Sequence, residues 1–239
     1  MRSLKQLRIN MPTRLIHTAI ILFFSINCFS QIERGYIIQN KIRSVKNTIY
    51  TYEDSSDKAI IQNFYSKAGD DSLEIYNGDT TFRFFPTFEN GRVSELVRID
   101  SNKREDERHT YKYNKNGSYS IEIIAHGAGQ ISLAKYDKKN WLMEETVDAS
   151  YTIVYVRNAN GRTEKILSKE DGKTETIAVF YFDKNGLATS GEGTTEGGEK
   201  VYFKYNDKKL VSEIKTVGKN EEDKVQTEII LLEYEFYEN

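Results

Sequence analysis

A short phrase recurs through the second half of this chain and restricts it to a repeat architecture. The phrase reads aromatic-x-aromatic, then Asn or Asp, then two polar residues and Gly or a substitute. Its six copies end at Gly91, Gly117, Asn140, Gly161, Gly186 and Lys209. Successive end points are 21 to 26 residues apart, and a period of that length is typical of repeated supersecondary units.

Each copy of the phrase predicts a hairpin turn with a defined backbone. The aromatic pair ends an incoming strand, and the Asn or Asp side chain then accepts a hydrogen bond from the backbone two residues on. Gly three positions later fits a left-handed residue that closes a four-residue loop. Lys209 stands at that position with a side chain that the left-handed region penalises. The six end points are therefore predicted to be structural turn residues.

The segments between these turns read as strands. Runs such as Tyr151 to Val156 and Glu228 to Phe236 alternate and are rich in β-branched and aromatic residues, which favours strand. We therefore predict an all-β fold, an antiparallel β-meander of repeated hairpins forming one curved sheet or open barrel. Residues 31–239 are predicted to be a single domain. One exception is a weak apolar stripe from Ser56 to Lys67, which predicts a helix.

The repeated phrase resembles the YD repeats of the Rhs-type bacterial family, whose unit reads Tyr-x-Tyr-Asp-x-x-Gly-x-Leu. The nearest matches are Phe182-Asp183-Lys-Asn-Gly186-Leu187 and Tyr205-Asn206-Asp-Lys-Lys209-Leu210. The resemblance covers residues 84–239. The family's shell function does not carry over, because its Asp-Pro-x-Gly core signature is absent from this sequence. What the resemblance implies is a small extracytoplasmic β-repeat protein of bacterial type.

The first 30 residues predict an export signal. Arg2, Lys5, Arg8 and Arg14 precede an apolar run from Leu15 to Phe24, and small residues lead to a cut after Ser30. This pattern is typical of a signal peptide and is too short for a transmembrane helix. Cleavage there places the mature chain in the periplasm, at the cell surface or outside the cell. Two alternatives stay open: lipidation of Cys28, and a true start at Met11.

Composition argues against several classes of function. Cys28 is the single cysteine, so a chain cut after Ser30 has no disulfide framework and no thiol nucleophile. Removing the four basic residues of the signal leaves 30 basic residues against 36 acidic ones, a net charge of −6. A nucleic-acid-binding protein usually shows a basic face or basic runs, so we expect no nucleic-acid partner.

The sequence predicts no catalytic, cofactor-binding or metal-ligating residues, and hence no cofactor. His109 and His126 are the histidines outside the signal, and no Gly-x-Ser-x-Gly elbow accompanies them. The glycine-rich segment from Gly191 to Gly198 lacks the Lys-Ser/Thr ending of a phosphate loop and is predicted to be a loop. Glu144 and Glu145 are adjacent in a strand, so their carboxylates are predicted to lie on opposite faces.

An aromatic stripe is the remaining candidate site. The second aromatic of the phrase recurs as Tyr113, Tyr136, Phe182 and Tyr205. These rings are predicted to stack across the sheet. The stripe is either the core, held by cross-strand aromatic pairs, or a partly exposed platform for glycan, peptide or lipid.

The sequence as a whole favours an exported, non-enzymatic β-repeat protein that acts as a binding or structural module of the bacterial envelope. The alternatives are a periplasmic carrier, which holds an apolar ligand on a curved sheet, and a hydrolase of envelope polymers. The expected partner is an envelope glycan, a lipid or another envelope protein.

Overall fold

The computed structural model describes residues 34–51, 58–126, 130–147, 151–159, 161–194, 198–219 and 225–238. The predicted signal peptide lies outside the described residues. Within these ranges a short helix, α1 (Arg34–Asn40), precedes the strands. The strands are β1 (Ile42–Thr51), β2 (Lys58–Tyr65), β3 (Asp71–Tyr76), β4 (Asp79–Glu89), β5 (Arg92–Asp100), β6 (Glu105–Tyr113), β7 (Tyr119–Ala125), β8 (Gln130–Tyr136), β9 (Leu142–Val147), β10 (Tyr151–Arg157), β11 (Thr163–Glu170), β12 (Lys173–Phe182), β13 (Ala188–Gly193), β14 (Lys200–Tyr205), β15 (Val211–Lys219) and β16 (Val225–Phe236).

The strands form an antiparallel meander that closes on itself. Every strand pairs with its neighbours in sequence, and β1 also pairs with β16, with Val45 opposite Tyr234 and Thr51 opposite Glu228. Closure gives each of the described strands two partners, so none of them has an exposed edge. The predicted all-β meander is confirmed, but the structure is a closed barrel of 16 strands and not a curved sheet or an open barrel.

Two segments differ from the sequence prediction near the start of the barrel. The helix expected from Ser56 to Lys67 is wrong, because residues 58–65 form β2 between β1 and β3. Pairing on both sides outweighs a weak helical pattern. Conversely, α1 was not predicted. Its Ile37 is 1% exposed and packs with Ile42 and Val45 in the core, so packing stabilises a helix too short to form alone.

The turns at one end of the barrel follow the repeated phrase. The backbone dihedral φ is positive at all six phrase end points, from 60° at Lys209 to 89° at Gly117. In a typical copy, Oδ1 of Asp183 accepts hydrogen bonds from the N–H groups of Asn185 and Leu187, both at 2.8 Å. The first copy differs, because Asn90 and Gly91 alone connect β4 to β5 and both have positive φ. That is the two-residue turn that Asn-Gly favours.

The two faces of the barrel wall differ in polarity. Inward side chains pack into two core clusters. The first comprises Ile37, Ile42, Val45, Tyr65, Ala188, Val201, Phe203, Val211, Ile214, Ile230 and Leu232, and the second comprises Ala134, Leu142, Ile153, Tyr155 and Ile166. The outer face carries cross-strand ion pairs, including Lys46–Glu233 at 3.1 Å, Lys112–Glu122 at 3.0 Å and Lys204–Glu213 at 2.8 Å.

Candidate binding surfaces and the interior polar cluster

The four residues of the predicted aromatic stripe lie on the inner face of the wall and are half-buried. Tyr113 and Tyr136 are joined through Tyr119, whose ring centroid lies 5.4 Å from that of Tyr113 and 4.8 Å from that of Tyr136. Phe182 and Tyr205 pack instead against the first core cluster. The stripe therefore runs in two parts, and the sequence pattern gave no sign that Tyr119 would join it.

Two of these side chains also form a hydrogen bond to the preceding repeat. The Tyr113 hydroxyl donates a hydrogen bond to the Val93 carbonyl at 3.0 Å, and the Tyr205 hydroxyl donates one to the Ala188 carbonyl at 2.9 Å. Each acceptor lies two residues after the turn residue of the preceding copy. Arg157 stands at the same position of its own copy and donates to the Leu142 carbonyl at 2.5 Å. Phe182 has no hydroxyl and cannot make this bond.

A cluster of charged side chains lies on β3, β5 and β6, and sequence reasoning missed it. Arg98 pairs with Glu107 at 2.7 Å, donates to Asp106 from Nε at 2.8 Å, and lies 4.3 Å from the centre of the Phe82 ring. His109 Nε2 lies 3.0 Å from a Glu107 oxygen. Because β5 and β6 pair with Arg98 opposite Glu107, the register, and not any local motif, creates this cluster.

The environment moves the pKa values of the cluster's carboxyl groups in opposite directions. Burial raises the pKa of Asp71 to about 6, although the nearby His109 lowers it. Burial also raises the pKa of Glu74. Burial alone would raise the pKa of Glu107 as well, but the His109 hydrogen bond and the charges of Arg98 and His109 outweigh it, and that pKa is lowered.

The other candidate residues from the sequence are dispersed. His126 is exposed and lies 2.8 Å from Glu105, on the outer side of the cluster's strands. Glu144 pairs with Lys135, whereas Glu145 stands opposite Ala134 and Ile153, so the two carboxylates do lie on opposite faces. Within the described ranges, no group of three or more His, Cys, Asp or Glu side chains is arranged to hold a metal ion.

The glycine-rich segment was predicted to be a loop, and this is wrong for its first part, because residues 191–193 belong to β13. A Cβ atom on Gly191 would lie 2.7 Å from Phe180 and 2.9 Å from Val201. The missing side chain lets the rings of Phe180 and Phe203 approach across β13, with centroids 6.3 Å apart. Residues 195–197 of the segment lie outside the described residues.

Exposed aromatic residues occur on the outer face. Tyr181, Tyr202 and Phe85 are 47%, 43% and 53% exposed. Phe88 is 59% exposed but stands opposite the buried Val93, so it belongs to the inner face at the end of β4. Tyr181 and Tyr202 each stand beside a core residue of the repeated phrase, Phe182 and Phe203, and alternation turns them outward. The sequence contained this signal, since the residue next to a core aromatic must face the opposite side of the sheet.

These observations define the class: a 16-stranded antiparallel barrel with an apolar interior, a charged outer wall and an internal polar cluster. No protein-family model and no curated protein matches the sequence. The barrel is similar to the crystal structure of a porin-like protein from Bacteroides uniformis, with a TM-score of 0.54 and 11% identity over 81% of this chain and 98% of that chain. At this identity the likeness concerns the fold alone.

Two further solved structures match less closely. A porin-like protein from Bacteroides vulgatus gives a TM-score of 0.35 at 10% identity, over 81% of this chain and 98% of that chain. The TcdB2-TccC3 structure gives a TM-score of 0.30 at 12% identity, over 79% of this chain and 14% of that chain. At these TM-scores neither likeness carries an argument about this chain. In the described ranges, none of the helical segments has the length and hydrophobicity of a membrane-spanning helix.

Proposed function

We propose that this protein is an exported, non-enzymatic module of the bacterial envelope that meets its partner on the outer wall of the barrel. The observation that carries the proposal is the polarity of the two faces. The export signal predicted over residues 1–30 supports the location, and the barrel's likeness to a porin-like protein of Bacteroides is consistent with it.

The outer wall has the chemistry of a surface that faces water. A barrel embedded in lipid alternates apolar residues outward with polar residues inward, and a Lys or Arg facing the middle of the bilayer costs about 2–4 kcal/mol. This wall shows the reverse pattern. Ion pairs such as Lys135–Glu144 face outward, while Ile153, Tyr155 and Ile166 pack inside at 1–3% exposure.

The interior gives less support to the carrier alternative. The core clusters occupy the inner face, and a cleft lined by Ile166, Phe180 and Val201 among others has a volume of about 30 Å³. That is close to the room taken by one water molecule, whereas sites for small ligands measure roughly 300–1,000 Å³. An acyl chain would not fit in this cleft.

One observation favours the hydrolase alternative, which is the opposed pKa shifts of Glu74 and Glu107. Such pairs mark acid and base assignments in enzymes. Against it, Arg98 and His109 already engage Glu107 and Asp106 with good geometry, as a structural network would. The His109→Ala variant distinguishes the enzyme from the structural network. If the parent releases soluble fragments from purified envelope polymer and the folded variant does not, the result would favour the enzyme.

Cell fractionation tests the proposed function. We expect the native protein to be a processed chain starting at Gln31, released from the envelope or the medium without detergent, and the Cys28→Ser variant to behave identically. If the parent stays with the membrane and the Cys28→Ser variant does not, a lipid on Cys28 anchors the protein. The outer wall of the barrel would then still face water. If both chains stay with the membrane until detergent is added, the barrel itself is embedded in lipid and the proposal fails.

A further inference from the structure

Four side chains form a continuous row across the outer wall. Tyr181 stands opposite Ser190, Ser190 opposite Tyr202, and Tyr202 opposite Lys215. We call this set, on β12 to β15, the tyrosine row. Directly opposed residues on neighbouring strands lie on the same face, and the inward neighbours Gly191 and Phe203 belong to the packed interior. The row therefore faces outward.

The two rings of the row are available to a partner. Tyr181 and Tyr202 are nearly half-exposed, and neither belongs to a core cluster. The Tyr181 hydroxyl donates to Glu192 at 3.4 Å, which holds the ring against the wall. Large aromatic residues exposed next to one another mark binding surfaces more often than isolated exposed residues do.

The spacing of the row suits a sugar polymer that runs across the strands. Neighbouring strands lie about 4.8 Å apart, so the Cα atoms of Tyr181 and Tyr202, two strands apart, are separated by about 10 Å with Ser190 between them. The rings of a pyranose chain recur at a spacing close to that of neighbouring strands. Such a chain could place its first and third rings on the two tyrosines and its second against the Ser190 hydroxyl.

The charges around the row favour an acidic polymer. On the same face of these strands, Glu192 pairs with Lys200 at 3.5 Å and Glu213 pairs with Lys204 at 2.8 Å. Lys215 adds a third lysine against two glutamates, so this part of the wall has a local charge of +1 on a chain that is acidic as a whole. An ammonium group beside an exposed ring is placed to meet a carboxylate on a sugar that stacks there.

We propose that the tyrosine row binds an acidic polysaccharide, a chain of pyranose sugars bearing uronic carboxylates. This proposal rests on the proposed function and names the partner of the outer wall. The tyrosine rings supply stacking surface, Ser190 supplies a hydroxyl, and Lys215 selects for the carboxylate. Mixed stacking and single ion pairing at an exposed wall imply weak binding with marked salt dependence.

The test titrates the purified protein with a hexamer of β-1,4-linked glucuronate and with cellohexaose, which has the same backbone without carboxylates. We expect the glucuronate hexamer to bind more tightly than cellohexaose. Tyr181→Ala with Tyr202→Ala should weaken glucuronate binding at least tenfold, and Lys215→Met should remove the preference over cellohexaose. Phe85→Ala, an exposed aromatic elsewhere on the outer wall, is the matched control and should leave binding unchanged.

Paired Tyr→Phe variants keep the stacking surface and should retain binding, which separates loss of the rings from loss of the fold. No binding by the parent, equal binding of the two hexamers, or binding unchanged in the double alanine variant would each overturn the proposal. If the polysaccharide-binding test fails but the protein is still released from the envelope without detergent, the proposed function would still stand. Loss of a co-purifying envelope protein in the double alanine variant, without glucuronate binding by the parent, would identify a protein partner instead.

Discussion

The carboxyl group of Glu228 lies on the inner face of the barrel, and its hydrogen-bonding capacity is not fully satisfied there. It lies on β16 opposite the buried Thr216, and its Oε1 atom is buried and accepts no hydrogen bond in the described part of the chain. Burial raises its pKa to about 7. The ordinary value is 4.5, so the folded protein binds this proton more readily than the unfolded chain does.

The first prediction concerns the pH dependence of stability. Because the folded-state pKa of Glu228 is raised, its protonation stabilises the fold below about pH 4.5, and that contribution is lost as the pH rises through about 7. We expect Glu228→Gln to increase the free energy of unfolding at pH 8 by about 1–2 kcal/mol, a figure reduced for partial exposure. The variant should also flatten the slope of stability between pH 5 and 8.

Urea unfolding of the parent and the variant across that range measures the effect. Glu233→Gln is the control, since Glu233 lies on the same strand but faces outward and pairs with Lys46. It should change stability by less than about 0.5 kcal/mol and keep the parent's slope. A Glu228→Gln variant with an unchanged slope would show that this carboxyl does not titrate in the window.

A second prediction concerns the hydroxyl that links two repeats. Tyr205 donates to the Ala188 carbonyl at 2.9 Å from a half-buried ring. Tyr205→Phe removes the bond and keeps the ring, so we expect a loss of about 1 kcal/mol in the free energy of unfolding. Tyr202→Phe, on the outer face, should lose little. Equal thermal midpoints for the two variants would mean that the hydroxyl contributes nothing to the link.

At the scale of the element, the repeated turn is the unit that the sequence encodes. Gly186 has φ 74° and Lys209 has φ 60° in equivalent loops, and each donates its N–H to the first residue of its loop, Asp183 or Asn206, at 3.0 and 2.9 Å. The two loops therefore share one backbone conformation, which Gly186 adopts without steric cost and Lys209 adopts at a steric cost.

The third prediction uses this contrast. Gly186→Val should lower the free energy of unfolding by about 1–2 kcal/mol, because a side chain is penalised in the left-handed region. Lys209→Gly relieves that strain but also loosens the unfolded chain, so we expect a smaller gain of roughly 0.5–1 kcal/mol. Urea midpoints of the two variants should move in opposite directions. A shared direction would mean that the two loops are not equivalent.

At the scale of the whole molecule, closure between β1 and β16 joins residues that are about as far apart in sequence as this fold allows. Ile49 stands opposite Ile230, and Lys46 pairs with Glu233. The chain ends of the barrel also meet, since the N–H of Tyr237 donates to the Lys41 carbonyl at 2.9 Å. These contacts close the meander of hairpins into a barrel.

The fourth prediction tests closure. A chain that stops at residue 224 lacks β16 and exposes the edges of β1 and β15, so we expect it to aggregate. As a control, a circular permutant that joins residue 239 to residue 31 by a short linker and opens between Asp171 and Gly172 should fold, because it keeps the β1–β16 pairing. Size-exclusion chromatography distinguishes the two. A monomeric, cooperatively folded truncated chain would show that closure is dispensable.

What the sequence by itself determined is local. The left-handed turn residues, the Asn or Asp that opens each loop and the alternation within strands such as β16 depend on sterics and hydrogen bonds within a few residues, so they can be read along the chain. The same locality explains the opposite faces of Glu144 and Glu145.

Only the tertiary structure decided which face of the sheet turns inward, whether the meander closes, and which side chains meet. Tyr113 joins Tyr136 through Tyr119, Arg98 meets Glu107, and Tyr181 aligns with Tyr202 because strand register sets these pairs. Register and closure depend on contacts between strands that are far apart in sequence. The free energy of these contacts cannot be read from any single segment. The weak helical pattern at β2 gave way for the same reason, since pairing with β1 and β3 outweighs local preference.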